Sequence, residues 1–113
     1  MARSKLGTKP AYFHILLALS KGSKHGYALM GEIEARSEGR VKLGPSSLYY
    51  SLAKLLEAGL ISEEDVPEEE AGDSRRRYYA LTPEGRERIE TETRILRSVL
   101  THARAMGFAG DEP

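Results

Sequence analysis

The chain has 113 residues, with 17 Lys/Arg against 17 Asp/Glu and no Cys or Trp. That length gives one domain with a modest core. Disulfides, thiolate metal sites and cysteine nucleophiles are excluded, and no apolar run approaches the roughly 18 residues that span a bilayer. The N-terminus also lacks a signal-peptide pattern, so a soluble cytoplasmic protein is expected. The zero net charge is segregated: residues 1–62 balance to +5, 63–73 to −7 and 74–113 to +2. An acidic insert between two basic regions hides from the overall pI any affinity for nucleic acid.

Residues 1–9 contain Arg3, Lys5 and Lys9 with little apolar content and read as a flexible basic arm, equally a frayed solvated terminus. From Pro10 the nearly continuous apolar run Ala11 to Leu19 predicts a first helix, the most buried, closed by Lys21-Gly22-Ser23. His14 within it is expected at the core or its boundary. Lys24-His25-Gly26-Tyr27 opens a second, amphipathic helix to about Ser37, with Tyr27, Met30, Ile33 and Ser37 at helical spacing. Val41 and Leu43 alternate with Arg40 and Lys42, the pattern of a brief strand.

A third helix follows, and its ends are marked chemically. Gly44 suits the N-cap, Pro45 the first helical position, and Gly59 the left-handed residue past the C-terminal end. Leu48, Leu52, Leu55 and Leu56 fall at i, i+4, i+7 and i+8 and predict one buried face. Ser46, Tyr50 and Lys54 then point away, with Ser47 beside them and Tyr49 on the flank. Hydroxyls and a lysine can donate to phosphates or base edges; the same face also describes ordinary solvated helix, and Tyr49 also suits packing beside Leu52. Two short helices feeding a third is the helix-turn-helix arrangement.

Residues 62–74 are acidic and broken by Pro67 and Gly72, hence a loop. Arg77, Tyr79 and Leu81 alternate with Arg76, Tyr78 and Ala80, so this stretch is predicted to pair with Leu60 to Glu63 as a β-hairpin, a wing beside the third helix. Arg75, Arg76 and Arg77 are its candidate phosphate contacts. Thr82 as N-cap and Pro83 at the first position then open a long helix over residues 83–107. Ile89, Leu96, Val99, Ala103 and Met106 form a heptad-like stripe with Ile95 and Leu100 beside it, and the helix is too long for a small domain to cover. Its stripe is predicted to meet a second copy. Residues 108–113 read as a polar tail.

Three motifs carry a resemblance: His25-Gly26-Tyr27; Leu48-Tyr49 with Leu52, Leu55 and Gly59-Leu60-Ile61; and Arg76, Tyr78-Tyr79, Leu81-Thr82 and Gly85. On these the sequence, from about Tyr12 to Ile89, resembles the PadR family of bacterial and archaeal transcriptional regulators, and its single C-terminal helix looks like the short branch. The resemblance implies a mainly α fold with a small β-hairpin: a winged helix-turn-helix over residues 10–82 and a dimerisation helix beyond it. It further implies a two-fold homodimer repressing from a palindromic operator in double-stranded DNA. DNA contacts would then come from Ser46, Ser47, Tyr49, Tyr50, Lys54 and Arg75 to Arg77, and dimer contacts from Ile89, Leu96, Val99, Leu100, Ala103 and Met106. Some short members stack drug-like ligands on an interface aromatic, frequently Trp, which this chain lacks; the residues name no effector. No cofactor or metal is expected, and His14, His25 and His102 are too scattered for an enzyme site. The competing reading is a winged-helix protein-interaction module that does not bind DNA.

Overall fold

Four helices and three short strands follow one another among the described residues: α1 (Pro10–Leu19), β1 (Lys24–His25), α2 (Gly26–Arg36), α3 (Pro45–Glu57), β2 (Ile61–Glu64), β3 (Tyr78–Leu81) and α4 (Pro83–Ala105). The computed structural model describes residues 9–64 and 77–108. The fold is mainly helical, with the three strands in one antiparallel sheet ordered β1-β3-β2. The arm at residues 1–8, Arg75, Arg76 and most of the acidic segment lie outside the described residues.

The core is built from one face of each short helix and one face of the sheet. Tyr12, Ile15, Leu16, Ala18 and Leu19 of α1 are buried against Leu29 and Ile33 of α2, Leu48, Leu52 and Leu55 of α3, and Leu60, Ile61 and Tyr79. Each fully buried Leu or Ile contributes about 1.5–3 kcal/mol relative to an exposed one. Leu56 is half-buried at the edge. His14 is half-buried as well, and its Nδ1 has no hydrogen-bond partner among the described residues.

The structure corrects two expectations in the α2 region. Lys24 and His25 form a strand paired with Tyr79 and Tyr78 rather than the first turn of a helix. His25 caps α2 instead, its Nδ1 accepting from the Ala28 N–H at 3.3 Å. With the helix starting at Gly26, Gly26, Leu29 and Ile33 face inward and Tyr27 is 65% exposed. The predicted strand at Val41–Leu43 does not form. The Val41 N–H donates instead to Ser37 Oγ at 2.9 Å, while Val41 and Leu43 still pack on the core.

The turn from α3 into β2 fixes where the hairpin leaves the domain. Gly59 adopts φ of 78°, its N–H bonds to the Leu56 carbonyl and the Leu60 N–H to the Leu55 carbonyl. This is the Schellman pattern, and it carries Leu60 back onto the core. Thr82 ties the same corner to α4: its Oγ accepts from the Gly85 N–H at 3.0 Å and donates to the Gly59 carbonyl at 2.7 Å. Gly85 lies so close to the Leu60 carbonyl that a Cβ would overlap it. The helix entry is therefore locked to the base of the hairpin.

Helix α4 runs 23 residues, about 34 Å at 1.5 Å per residue, and packs on its own domain only near its start, against α1 and β3. Ile89 is drawn onto the core and leaves the open stripe. From Thr93 to Phe108 every residue except half-buried Ala103 is exposed.

Candidate nucleic-acid interface

The sequence of α3 divides its surface cleanly. Its leucines at positions 48, 52 and 55 are no more than 1% exposed, and the opposite side presents Ser46, Ser47, Tyr50 and Ala53 to solvent. No carboxylate stands in the first turn and no side chain caps it. Pro45 has no N–H, and the Ser46 and Ser47 N–H groups precede the intrahelical ladder, so this end offers backbone and hydroxyl donors together. In the last turn, the Lys54 ammonium lies 5.5 Å from the centroid of the Tyr50 ring and 3.9 Å from Glu57. Tyr50 and Lys54 thus form one amphipathic ridge with the cation at its end.

Tyr49 occupies the flank for a physical reason. Its ring lies over the backbone of Gly26, where a Cβ would collide with the phenol hydroxyl. The first turn of α2 and the middle of α3 therefore approach through a glycine, and Tyr49, still 44% exposed, bridges packing and surface. The packing role is with Gly26, a partner that helical periodicity within α3 could not supply.

The hairpin stands beside this helix. Ile61 pairs with Leu81, Ser62 with Ala80, Glu63 with Tyr79 and Glu64 with Tyr78, so Ile61 and Tyr79 face the core together. Burial first, then the nearby Glu63 and Tyr49, push the Tyr79 phenol above its ordinary pKa. The ring of Tyr78 meets His25 edge-on at 5.5 Å, and Ser23 Oγ donates to Glu64 at 2.6 Å. Both contacts fix the stalk to the turn before α2. Arg77 projects at the open end of the stalk, its Nη1 2.9 Å from Glu63 Oε1.

The predicted residues thus fall into two groups in space. Ser46, Ser47, Tyr50 and Lys54 share the outer side of α3, with Tyr49 at its edge and Arg77 on the adjoining stalk; Arg75 and Arg76 lie beyond the described residues. Leu96, Val99, Leu100 and Met106 are exposed along α4, at 53, 60, 44 and 72%. Sequence reasoning missed two exposed aromatics, Tyr27 and Phe108. The second had a signal, because Gly107 before it is a helix-ending residue: its N–H bonds to the Arg104 carbonyl and that of Phe108 to Ala103, which folds Phe108 back as the apolar residue of a Schellman cap. Among the described residues no three His, Asp or Glu are grouped to hold a metal, and no helix is long and apolar enough to cross a membrane.

Residues 15–91 match the family model of the transcriptional regulator PadR-like family. The chain belongs to that family. A PadR family transcription regulator from Clostridium difficile superposes with a TM-score of 0.73 at 23% identity, covering 87% of this chain and 98% of that one. Bacillus subtilis PadR, solved in complex with operator DNA, gives 0.63 at 22% identity over 73% of this chain and 45% of that one. At such identities the likeness is one of fold: a PadR winged helix. A curated relative, an uncharacterized 37.1 kDa protein in transposon TN4556 of Streptomyces fradiae, is 45% identical over 85 residues. Those residues are 75% of this chain but only 22% of the relative's length.

Proposed function

We propose that this PadR-family chain is a sequence-specific DNA-binding regulator, acting in the cytoplasm as a homodimer that represses from a palindromic operator. The observation that carries the reading is the outer side of α3. Small hydroxylic residues and uncapped N–H groups occupy its start, and the Tyr50–Lys54 ridge stands behind them. That combination suits entry into a major groove, with Ser46, Ser47 and Tyr50 toward base edges and Lys54 toward phosphate. Arg75, Arg76 and Arg77 would serve the wing, and Bacillus subtilis PadR, of similar fold, was solved with its operator. Repression follows the resemblance rather than any residue.

Dimerisation is supported by the open apolar stripe of α4 and by the way charge is distributed along it. Residues 83–92 hold Glu84, Glu87, Glu90 and Glu92 with Arg86 and Arg88, whereas residues 93–108 hold Arg94, Arg97, His102 and Arg104 and no carboxylate. Two α4 helices related by a two-fold axis across their length run antiparallel, so basic halves meet acidic ones. A parallel pair would stack like charge on like. Two recognition helices set about 34–36 Å apart would reach successive major grooves.

Fluorescence titration of a random duplex across a salt series tests the reading. Affinity is expected to fall steeply with salt, with a log–log slope of about −0.9 per phosphate contacted. Absence of salt-dependent binding would leave the protein-interaction module as the better account.

A further inference from the structure

Glu63 lies on β2 opposite Tyr79, two residues past buried Ile61, and its carboxylate reaches across the ladder to Arg77. Arg77 is 66% exposed and Glu63 39%, and a pair this open adds little to stability. Its consequence is electrostatic. Arg77 is the one cation on the stalk among the described residues, and a carboxylate of the same hairpin already holds its guanidinium. A DNA phosphate approaching Arg77 must displace Glu63 or share the cation with it, and the carboxylate repels that phosphate well within the Debye length of about 8–10 Å. The position is also next to the reader, since Tyr79 feels both Glu63 and Tyr49 of α3. In sequence Glu63 begins the segment that carries seven carboxylates and no cation.

Resting on the DNA-binding reading above, we propose that Glu63 is an internal competitor for DNA phosphate: by occupying Arg77 it withholds one backbone contact and lowers affinity for every duplex alike. Phosphate contacts carry no sequence information, so the brake acts on the sequence-independent part of binding and leaves the base contacts of α3 as they are. Neighbouring Glu64 is the natural control. It has the same charge one residue away, but its carboxylate accepts from Ser23 and stands on the other side of the strand.

The test titrates the full-length protein and its variants with a random duplex over a salt series. Glu63→Gln is expected to bind about three- to five-fold more tightly at low salt, the scale of one exposed pair, with a slope steeper by about 0.9 as Arg77 gains a phosphate. Adding Arg77→Gln to Glu63→Gln is expected to abolish both the gain in affinity and the added slope, because the extra phosphate is held through Arg77. Unchanged affinity and slope in Glu63→Gln overturn the inference, as does weaker binding, which would make Glu63 a support for Arg77. An equal gain in Glu64→Gln assigns the effect to bulk charge and overturns it too. Salt-independent binding by the unmodified protein instead removes the DNA-binding reading, and the inference with it.

Discussion

Helices α3 and α4 are both amphipathic, and the structure treats their apolar stripes in opposite ways. In α3 the leucines at 48, 52 and 55 are sealed beneath α1, α2 and the sheet, whereas in α4 Leu96 and Val99 stand 53 and 60% exposed. The difference is one of length and connection. Helix α3, of 13 residues, is held between a Gly44–Pro45 start and a Gly59 stop, while α4 is locked to the domain at Thr82 and Gly85, packs Ile89 on its core and then runs on. One stripe folds the chain; the other stays open to solvent.

The largest way to break this contrast is Leu96→Glu. In a dimer it buries an unpaired carboxylate, at a cost of about 3–5 kcal/mol, whereas in the monomer it points to water. Sedimentation is expected to show monomers with intact helical content. A sharper comparison uses the same deletion twice. Leu52→Ala is expected to lower stability by about 2–5 kcal/mol through a cavity in the core, equally at all protein concentrations. Leu96→Ala acts on association, so its effect on the urea midpoint is expected to vanish on dilution and to grow to a plateau as protein is concentrated.

Much of the first region was legible because its signals are local. The cap residues of α3, its leucine spacing, the Thr82-Pro83 start of α4 and the alternation of Tyr78 to Leu81 each need only a few neighbouring residues to interpret. What escaped depends on distant partners. Strand β1 is two residues long and exists only because β3 has a free edge beside it, whereas at Val41–Leu43, with better alternation, Ser37 Oγ takes the Val41 N–H and no strand forms. Ile89 fits the α4 stripe by period, yet it is close enough to the start of the helix to be taken by its own core. Of the candidate site, the exposed side of α3 could be drawn from angle alone. The seat of Tyr49 on Gly26 and the hold of Glu63 on Arg77 could not, since each joins residues 14 or more apart in sequence.

Two smaller changes sharpen the account of the first region. Ser47→Ala with Tyr50→Ala touches only the exposed side of α3, so the fold is expected to persist. Preference for a selected duplex over a random one is expected to drop by about 1–3 kcal/mol per lost base contact, as competition titrations would show. The smallest effect concerns α2. Glu32 accepts from Arg36 and lies 3.7 Å from Lys24; the Arg36 hydrogen bond chiefly, then the Lys24 charge, hold its carboxyl below the ordinary 4.5 despite partial burial. A lowered folded value means stability that is complete above 4.5 and is lost as pH falls through the folded value. Urea curves of Glu32→Gln are expected to show a deficit of a few tenths of a kcal/mol near neutral pH, as for other solvent-facing pairs, closing as pH falls below 4.5 and through the lowered folded value.

The central claim joins the two regions: α3 reads bases, and α4 presents two copies of it to one duplex. Selection of bound duplexes from a random pool tests both parts at once. The expected result is an inverted repeat whose half-sites are centred about one helical turn, 10–10.5 base pairs, apart. Recovery of a single unrepeated half-site, or no enrichment over the starting pool, would contradict it.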